Sequence, residues 1–282
     1  MKKFLIIILC LAAFNAEAQQ TDTAKVNIAD TLKKDLFTAP DTVRHLRSKT
    51  ASLIPPAALI AYGGVSFFIK PLRTLDRYVH KESVEHDLAP KSHLEDYFQY
   101  APPVLVYGLN LVGVHGKNTF VDRTLIYVMS QAMLGVSLYT LKHATHRLRP
   151  DESDKLSFPS GHTGNAFAGA EFMAQELGEV SPYYTVIGYA FATTTGVFRV
   201  YHQDHWLSDV VAGAGFGILS TKAAYLLYPY IRNRLFKSGR EKEENREKDL
   251  PKELKKKPSN KSSLLLPSYQ QGAFGLQFAM QF

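Results

Sequence analysis

The chain has 282 residues, 45% of them hydrophobic and 21% charged, with a formal net charge of +7 and a mean hydropathy of −0.14. That balance excludes a disordered chain, argues against one sunk almost wholly in a bilayer, and supports one core rather than two comfortable domains. Twelve basic and six acidic residues fall between Arg232 and Lys261, so +6 of the +7 belongs to this stretch, and the near-neutral remainder does not indicate a nucleic-acid-binding body.

Lys2 and Lys3 precede the apolar run from Phe4 to Phe14, followed by Ala16-Glu17-Ala18. A basic start, a short apolar stretch and an A-x-A site read as a secretory signal peptide over 1–18. The sole cysteine, Cys10, lies inside it, so cleavage leaves a chain without thiols and excludes disulfides, thiolate zinc sites and a cysteine nucleophile. A polar leader follows over 19–50. From residue 51 to 231 the text becomes six apolar stretches: Leu53–Ile69, Ala101–Val114, Leu125–Leu141, Thr163–Leu177, Tyr183–Phe198 and Val210–Ile231. They are too long for ordinary strands, so the expected fold is an all-α six-helix bundle. An amphipathic stretch, Pro71–Tyr100, separates the first two. Several runs could cross about 30 Å of hydrocarbon, although Pro55 and Pro56 interrupt the first, and Glu171, Glu176 and Lys222 must face the bundle to be tolerated. Membrane association is the expectation. Residues 232–261 read as a charged linker. In the tail, 262–282, Phe274, Leu276, Phe278, Met280 and Phe282 alternate with smaller or polar neighbours, the period of a short strand.

Three segments at helix ends carry the chemistry. They are Lys142 to Pro150 after the third run, Pro159-Ser160-Gly161-His162 before the fourth, and Arg199 to Asp209 between the fifth and sixth. An antiparallel bundle brings these ends to one pole. Pooled, they offer Lys142, Arg149 and Arg199 as fixed cations, with the N–H groups of Ser160, Gly161 and His162 at a helix start: an anion site. His205 and Asp209 are four apart on one helical face, so Asp209 is expected to accept from one imidazole nitrogen and leave the other free to attack phosphorus. His162 stands as the acid for the leaving oxygen. His143-x-x-His146 and His202-x-x-His205 could suggest zinc, but the basic setting repels a cation and no metal site is assigned.

These segments resemble the three-part signature of the type 2 phosphatidic acid phosphatase family, which includes bacterial acid phosphatases and vanadium haloperoxidases. Lys142 stands at the right distance from Arg149-Pro150, Pro159 to His162 match in full, and Arg199, His205 and Asp209 keep both spacings. Phe198 departs, standing where that family usually has Ser. The resemblance implies an acid-phosphatase/haloperoxidase-like bundle in which His205 forms a phosphohistidine and Asp209 orients it. His162 protonates the leaving group, and Lys142, Arg149, Ser160, Gly161 and Arg199 hold the phosphoryl oxygens. It implies no cofactor and no metal.

The reading is a metal-independent phosphatase of a phosphate or diphosphate monoester on a lipid, of the phosphatidic acid, polyprenyl diphosphate or lipid A type. The alternative is a soluble periplasmic acid phosphatase; vanadate-dependent haloperoxidation and a non-catalytic membrane scaffold are remote rivals. The partners expected are a lipid phosphate and a membrane, with no nucleic acid. Export places the protein in the cell envelope. The basic tail after Ile231 favours a cytoplasmic end and a periplasmic site, which requires one run that does not cross; Leu53–Ile69 is that run.

Overall fold

The computed structural model describes residues 50–249, 263–270 and 273–280, with side chains through Arg232. The signal peptide, the leader and most of the second half of the charged linker lie outside the described residues. One compact unit ends at Pro229 and a second starts at Tyr230.

A 3-10 turn, Thr50–Leu53, leads into α1 (Ile54–Val65), α2 (Lys70–Glu85), the single turn α3 (Glu95–Phe98), α4 (Ala101–Leu111), α5 (Phe120–Thr145), α6 (Gly161–Leu177), α7 (Pro182–Tyr201) and α8 (Leu207–Asp249). The six apolar runs correspond to α1 and α4 to α8, and the first unit is all-helical as expected. Pro55 and Pro56 do not interrupt the first run. They open α1 in its first turn, where a helix has no use for the missing N–H. Pro102 and Pro103 open α4 in the same way, and Pro182 opens α7. The amphipathic stretch forms α2 and α3. Thr119 caps α5 by accepting from the Asp122 N–H at 3.3 Å, and His146 ends that helix in the left-handed conformation, φ 45°.

The helices pack closely because small residues line their contacts. A Cβ on Gly217 would stand 2.2 Å from the Gly164 carbonyl oxygen, and one on Gly213 would stand 2.5 Å from that of Ser160, so α8 lies backbone to backbone on α6. A Cβ on Gly63 would meet the Ala212 Cβ at 2.5 Å, which sets α1 against α8. The largest apolar core joins Val106, Ile126, Phe172, Met173, Leu177 and Tyr225, towards the pole away from the three motif segments. The charges within the apolar runs face the bundle. Glu171 pairs with Lys222 at 2.8 Å, and Glu176 pairs with fully buried Arg123 at 3.0 Å while accepting from the Tyr225 hydroxyl at 2.6 Å.

Among the described residues, two helical segments are long and apolar enough to cross a membrane, Phe120–Thr145 and Leu207–Arg232. A third span exists if α1 and α2 count as one, but they bend by 89° at the break between them. In the second unit, Ser263–Gln270 and Ala273–Met280 form an antiparallel pair with Leu265 opposite Phe278 and Tyr269 opposite Phe274.

Candidate active site

The end of α5, the start of α6, the end of α7 and the start of α8 meet at one pole. The loop from Arg147 to Ser160 is pinned at both ends, because the Ser157 N–H donates to the Arg147 carbonyl at 3.0 Å and the Ser160 N–H donates to that of Asp209 at 3.0 Å. The Phe158–Pro159 peptide within it is cis. After α7 the chain turns tightly through Gln203, whose φ is 63°, with the Asp204 and His205 N–H groups both donating to the Arg199 carbonyl.

His205 is buried, 2% exposed, and its Nδ1 donates to the Ser157 carbonyl at 2.7 Å. A carbonyl can only accept, so this contact fixes the proton on Nδ1 and leaves Nε2 as the lone-pair nitrogen. Burial, then the charges of Lys142, Arg149 and Arg199, pushes the imidazole's proton affinity well below the usual range, so the ring is neutral at physiological pH. Those three cations come from two of the sequence-distant segments, and all three act on one ring. The Lys142 ammonium is anchored by donating to the Leu156 carbonyl. Arg149 donates from Nε to Asp154 at 2.8 Å and reaches the Asp204 carboxylate at 3.8 Å. The Asp204 carboxylate also lies 3.0 Å from Arg199, and burial raises its pKa against the opposing pull of Arg199 and Arg149. Ser160 is the N-cap of α6 but uses no side-chain cap bond there; its hydroxyl pairs with that of Thr163 at 2.9 Å. Gly161 follows as the first helical residue, with open space where a Cβ would stand.

His162 sits on Asp96, Nε2 to Oδ1 3.0 Å. Burial and then Arg199 lower its pKa, and Asp96 pulls it back up. Arg199 therefore acts on both imidazoles, which places the third segment beside the second.

One expected contact is corrected. Asp209 does not orient His205 directly, since its Oδ2 stands 4.0 Å from His205 Nδ1, beyond hydrogen-bond reach. The i,i+4 spacing puts the two on one face, but the carboxylate folds back over its own helix start. It accepts from the Trp206 N–H at 3.0 Å, the Ser157 hydroxyl at 2.5 Å and the Arg147 guanidinium at 2.6 Å. The link to His205 runs through Ser157, whose hydroxyl is on Asp209 and whose carbonyl takes the ring proton.

Neither of the two His-x-x-His pairs forms a metal set. His143 donates from Nδ1 to the Tyr139 carbonyl at 2.8 Å and stacks on that ring. His202 turns away from His205 towards Glu95 and His93, where three ligand atoms lie within 4.8 Å of one another. Both nitrogens of His202 are engaged there, with Glu95 at 2.8 Å and the Pro90 carbonyl at 2.8 Å, and Arg199 stands 3.7 Å from the same carboxylate. The trio is a hydrogen-bonded brace beside Arg199. Phe198, at the departing position, sets its ring edge-on to His202 at 6.2 Å and so contributes to that brace. Sequence reasoning missed Asp76, Asp96, Arg147 and Ser157. Arg147 and Ser157 lie within or between the quoted motifs, but nothing in their spacing marks them.

The PAP2 superfamily model matches residues 123–233. A lipid A 1-phosphatase of Porphyromonas gingivalis is 29% identical over 236 residues, which cover 82% of this chain and 51% of that protein, so the chain spans about half the length of this curated relative. A transmembrane PAP2 type phosphatidylglycerolphosphate phosphatase from Bacillus subtilis has been solved; it is 20% identical, with 60% of this chain and 94% of that one covered at a TM-score of 0.41. For LpxE from Aquifex aeolicus the identity is 21%, the coverage 54% and 92%, and the TM-score 0.40. The stretch that is similar to the PAP2 superfamily model, residues 123–233, contains all three motifs.

Proposed function

We propose that the protein is a metal-independent phosphatase of lipid phosphate monoesters, of the lipid A or phosphatidic acid type, working through a phosphohistidine. The carrying observation is His205, a buried neutral imidazole with its proton committed to a backbone carbonyl and the charges of three cations acting on it. Lys142, Arg149 and Arg199, with the N–H groups at the start of α6, hold the phosphoryl oxygens. His205 Nε2 attacks phosphorus as the bond to the leaving oxygen breaks, and His162 gives that oxygen its proton. Water then attacks phosphorus, His162 takes a proton back, and the phosphorus–nitrogen bond breaks to release inorganic phosphate.

Two observations favour a lipid over a soluble ester. The relative of matching sequence is named for lipid A. An apolar cavity of about 440 Å³ runs between α7 and α8, lined by Val197, Val200, Tyr201, Leu207 and Val210 among others. Its end residues, Tyr201 and Leu207, bracket the loop that carries His205. The proposal includes an exported protein whose site faces the periplasm, in line with the secretory start of the sequence.

The test is phosphate release from vesicles carrying lipid A or phosphatidic acid, against a water-soluble aryl phosphate. Vesicle substrates are expected to turn over faster, EDTA to change nothing, and His205→Ala to lower turnover on the order of a thousandfold or more. Equal rates on both substrates would favour a soluble acid phosphatase, and a His205→Ala variant that keeps most of its activity would end the phosphohistidine reading.

A further inference from the structure

Beside His205 lies a second charged cluster, which joins Asp209 to Arg147, Ser208 and Asp76, residues to which the motif reading gives no role. The Arg147 guanidinium forks between two carboxylates: Nη1 donates to Asp209 at 2.6 Å and to the Ser208 hydroxyl at 2.8 Å, and Nη2 donates to Asp76 at 2.7 Å. Asp76 comes from α2, outside the matched segment 123–233. Its carboxylate accepts from the Ser208 N–H at 2.9 Å and from the Ser208 hydroxyl at 2.6 Å, so it caps the start of α8 from a distant part of the chain. Asp76, Ser208 and Asp209 are at most 2% exposed, and the rings of Phe67 and Trp206 flank the guanidinium at 4.9 and 5.8 Å.

Two buried carboxylates share one cation here, and the N–H donors and positive dipole end of α8 supply the remaining stabilisation. Lysine could not replace Arg147, because a single ammonium cannot present a planar fork to two acids. Arg147 also holds the loop from its backbone, where its carbonyl accepts from the Ser157 N–H. The Ser157 carbonyl, which takes the His205 ring proton, is thus fixed from both sides: by Arg147 through the main chain, and by Asp209 through the Ser157 hydroxyl.

We infer that Asp76 and Arg147 are positioning residues for the nucleophile: they hold Asp209 and Ser157 so that the His205 ring keeps its proton on Nδ1 and its Nε2 in line with phosphorus. This rests on the phosphatase reading above. It makes α2 part of the active site, through one acid that touches none of the anion-gripping side chains. A mere tether between α2 and α8 would predict something different, namely that loosening it disturbs the whole site together.

The experiment measures kcat, the inhibition constant of inorganic phosphate, and the ¹⁵N shifts of the His205 ring in the full-length protein. Asp76→Asn is expected to lower kcat on the order of 10- to 100-fold, with the phosphate inhibition constant within about twofold of wild type. The ring is expected to pass from a pure Nδ1–H tautomer to a mixture. Arg147→Lys should behave alike, and combining the two should cost no more than Arg147→Lys alone. Ser208→Ala serves where either variant fails to fold, with a loss of kcat of about threefold to tenfold expected. A wild-type kcat in Asp76→Asn, or parallel loss of turnover and phosphate binding, overturns the inference. An inactive wild type would instead defeat the phosphatase reading, and the ring tautomer would still decide this one.

Discussion

Asp96 is a single exposed carboxylate that bears on the protonation of His162, the acid of the proposed mechanism. Burial and Arg199 both favour a neutral His162, and the Asp96 carboxylate 3.0 Å away opposes them. In the proposed mechanism the acid for the leaving oxygen must be protonated, so the alkaline side of the rate profile is expected to follow His162, whereas His205, already neutral, is expected to limit only the acid side. Asp96→Asn removes the group that supports protonation. The alkaline limb of kcat/KM should therefore move to lower pH, with the acid limb unmoved; the pH profiles of the two proteins check this. None of this is legible at Asp96 in the sequence, because its partner is 66 residues away and no spacing rule joins them. Lys142, Arg149, Arg199, His162 and His205 were legible because their chemistry and their places at helix ends are both local properties. For Asp209 the sequence placed the residue correctly and its contact wrongly, since helical spacing fixes a face but not the donor that a carboxylate chooses.

At the scale of elements, apolar length identified α1 and α4 to α8, while proline position was misjudged in α1: the same residue breaks a helix interior and starts a helix. The charged residues expected to face inward do so, as the Glu171–Lys222 and Glu176–Arg123 pairs. The backbone contact between α6 and α8 was not legible, since a glycine in an apolar run carries no mark of its neighbour. It yields a direct test. Gly217→Ala places a methyl group 2.2 Å from the Gly164 carbonyl, where only backbone could give way. It should destabilise the bundle by about 1–3 kcal/mol, read as a lowered midpoint of thermal unfolding in detergent. Because α6 begins at Gly161 and α8 carries Asp209, activity should fall at temperatures below the unfolding midpoint as well.

Across the whole molecule, the two ends of α6 mark the two poles. Gly161 opens it at the end where the three motif segments meet, and Val180 follows its far end, 46% exposed. Lys155, exposed on the loop that carries Ser157, belongs to the site pole. A periplasmic site predicts that Lys155→Cys, made with Cys10→Ser, reacts with a membrane-impermeant maleimide in intact cells, and that Val180→Cys reacts only after lysis. The reverse pattern would place the site in the cytoplasm and end the exported reading.

The Asp204 carboxylate, shared between Arg199 and Arg149, has a consequence for what the pocket admits. The two guanidinia carry their own tethered competitor, present at an effective concentration that no dissolved chloride or acetate ion matches. A guest must arrive with more than one negative oxygen to win the exchange. For the proposed phosphatase this arrangement would trade some affinity for a threshold, one that a doubly charged phosphoryl group would cross and monovalent chloride or acetate would not.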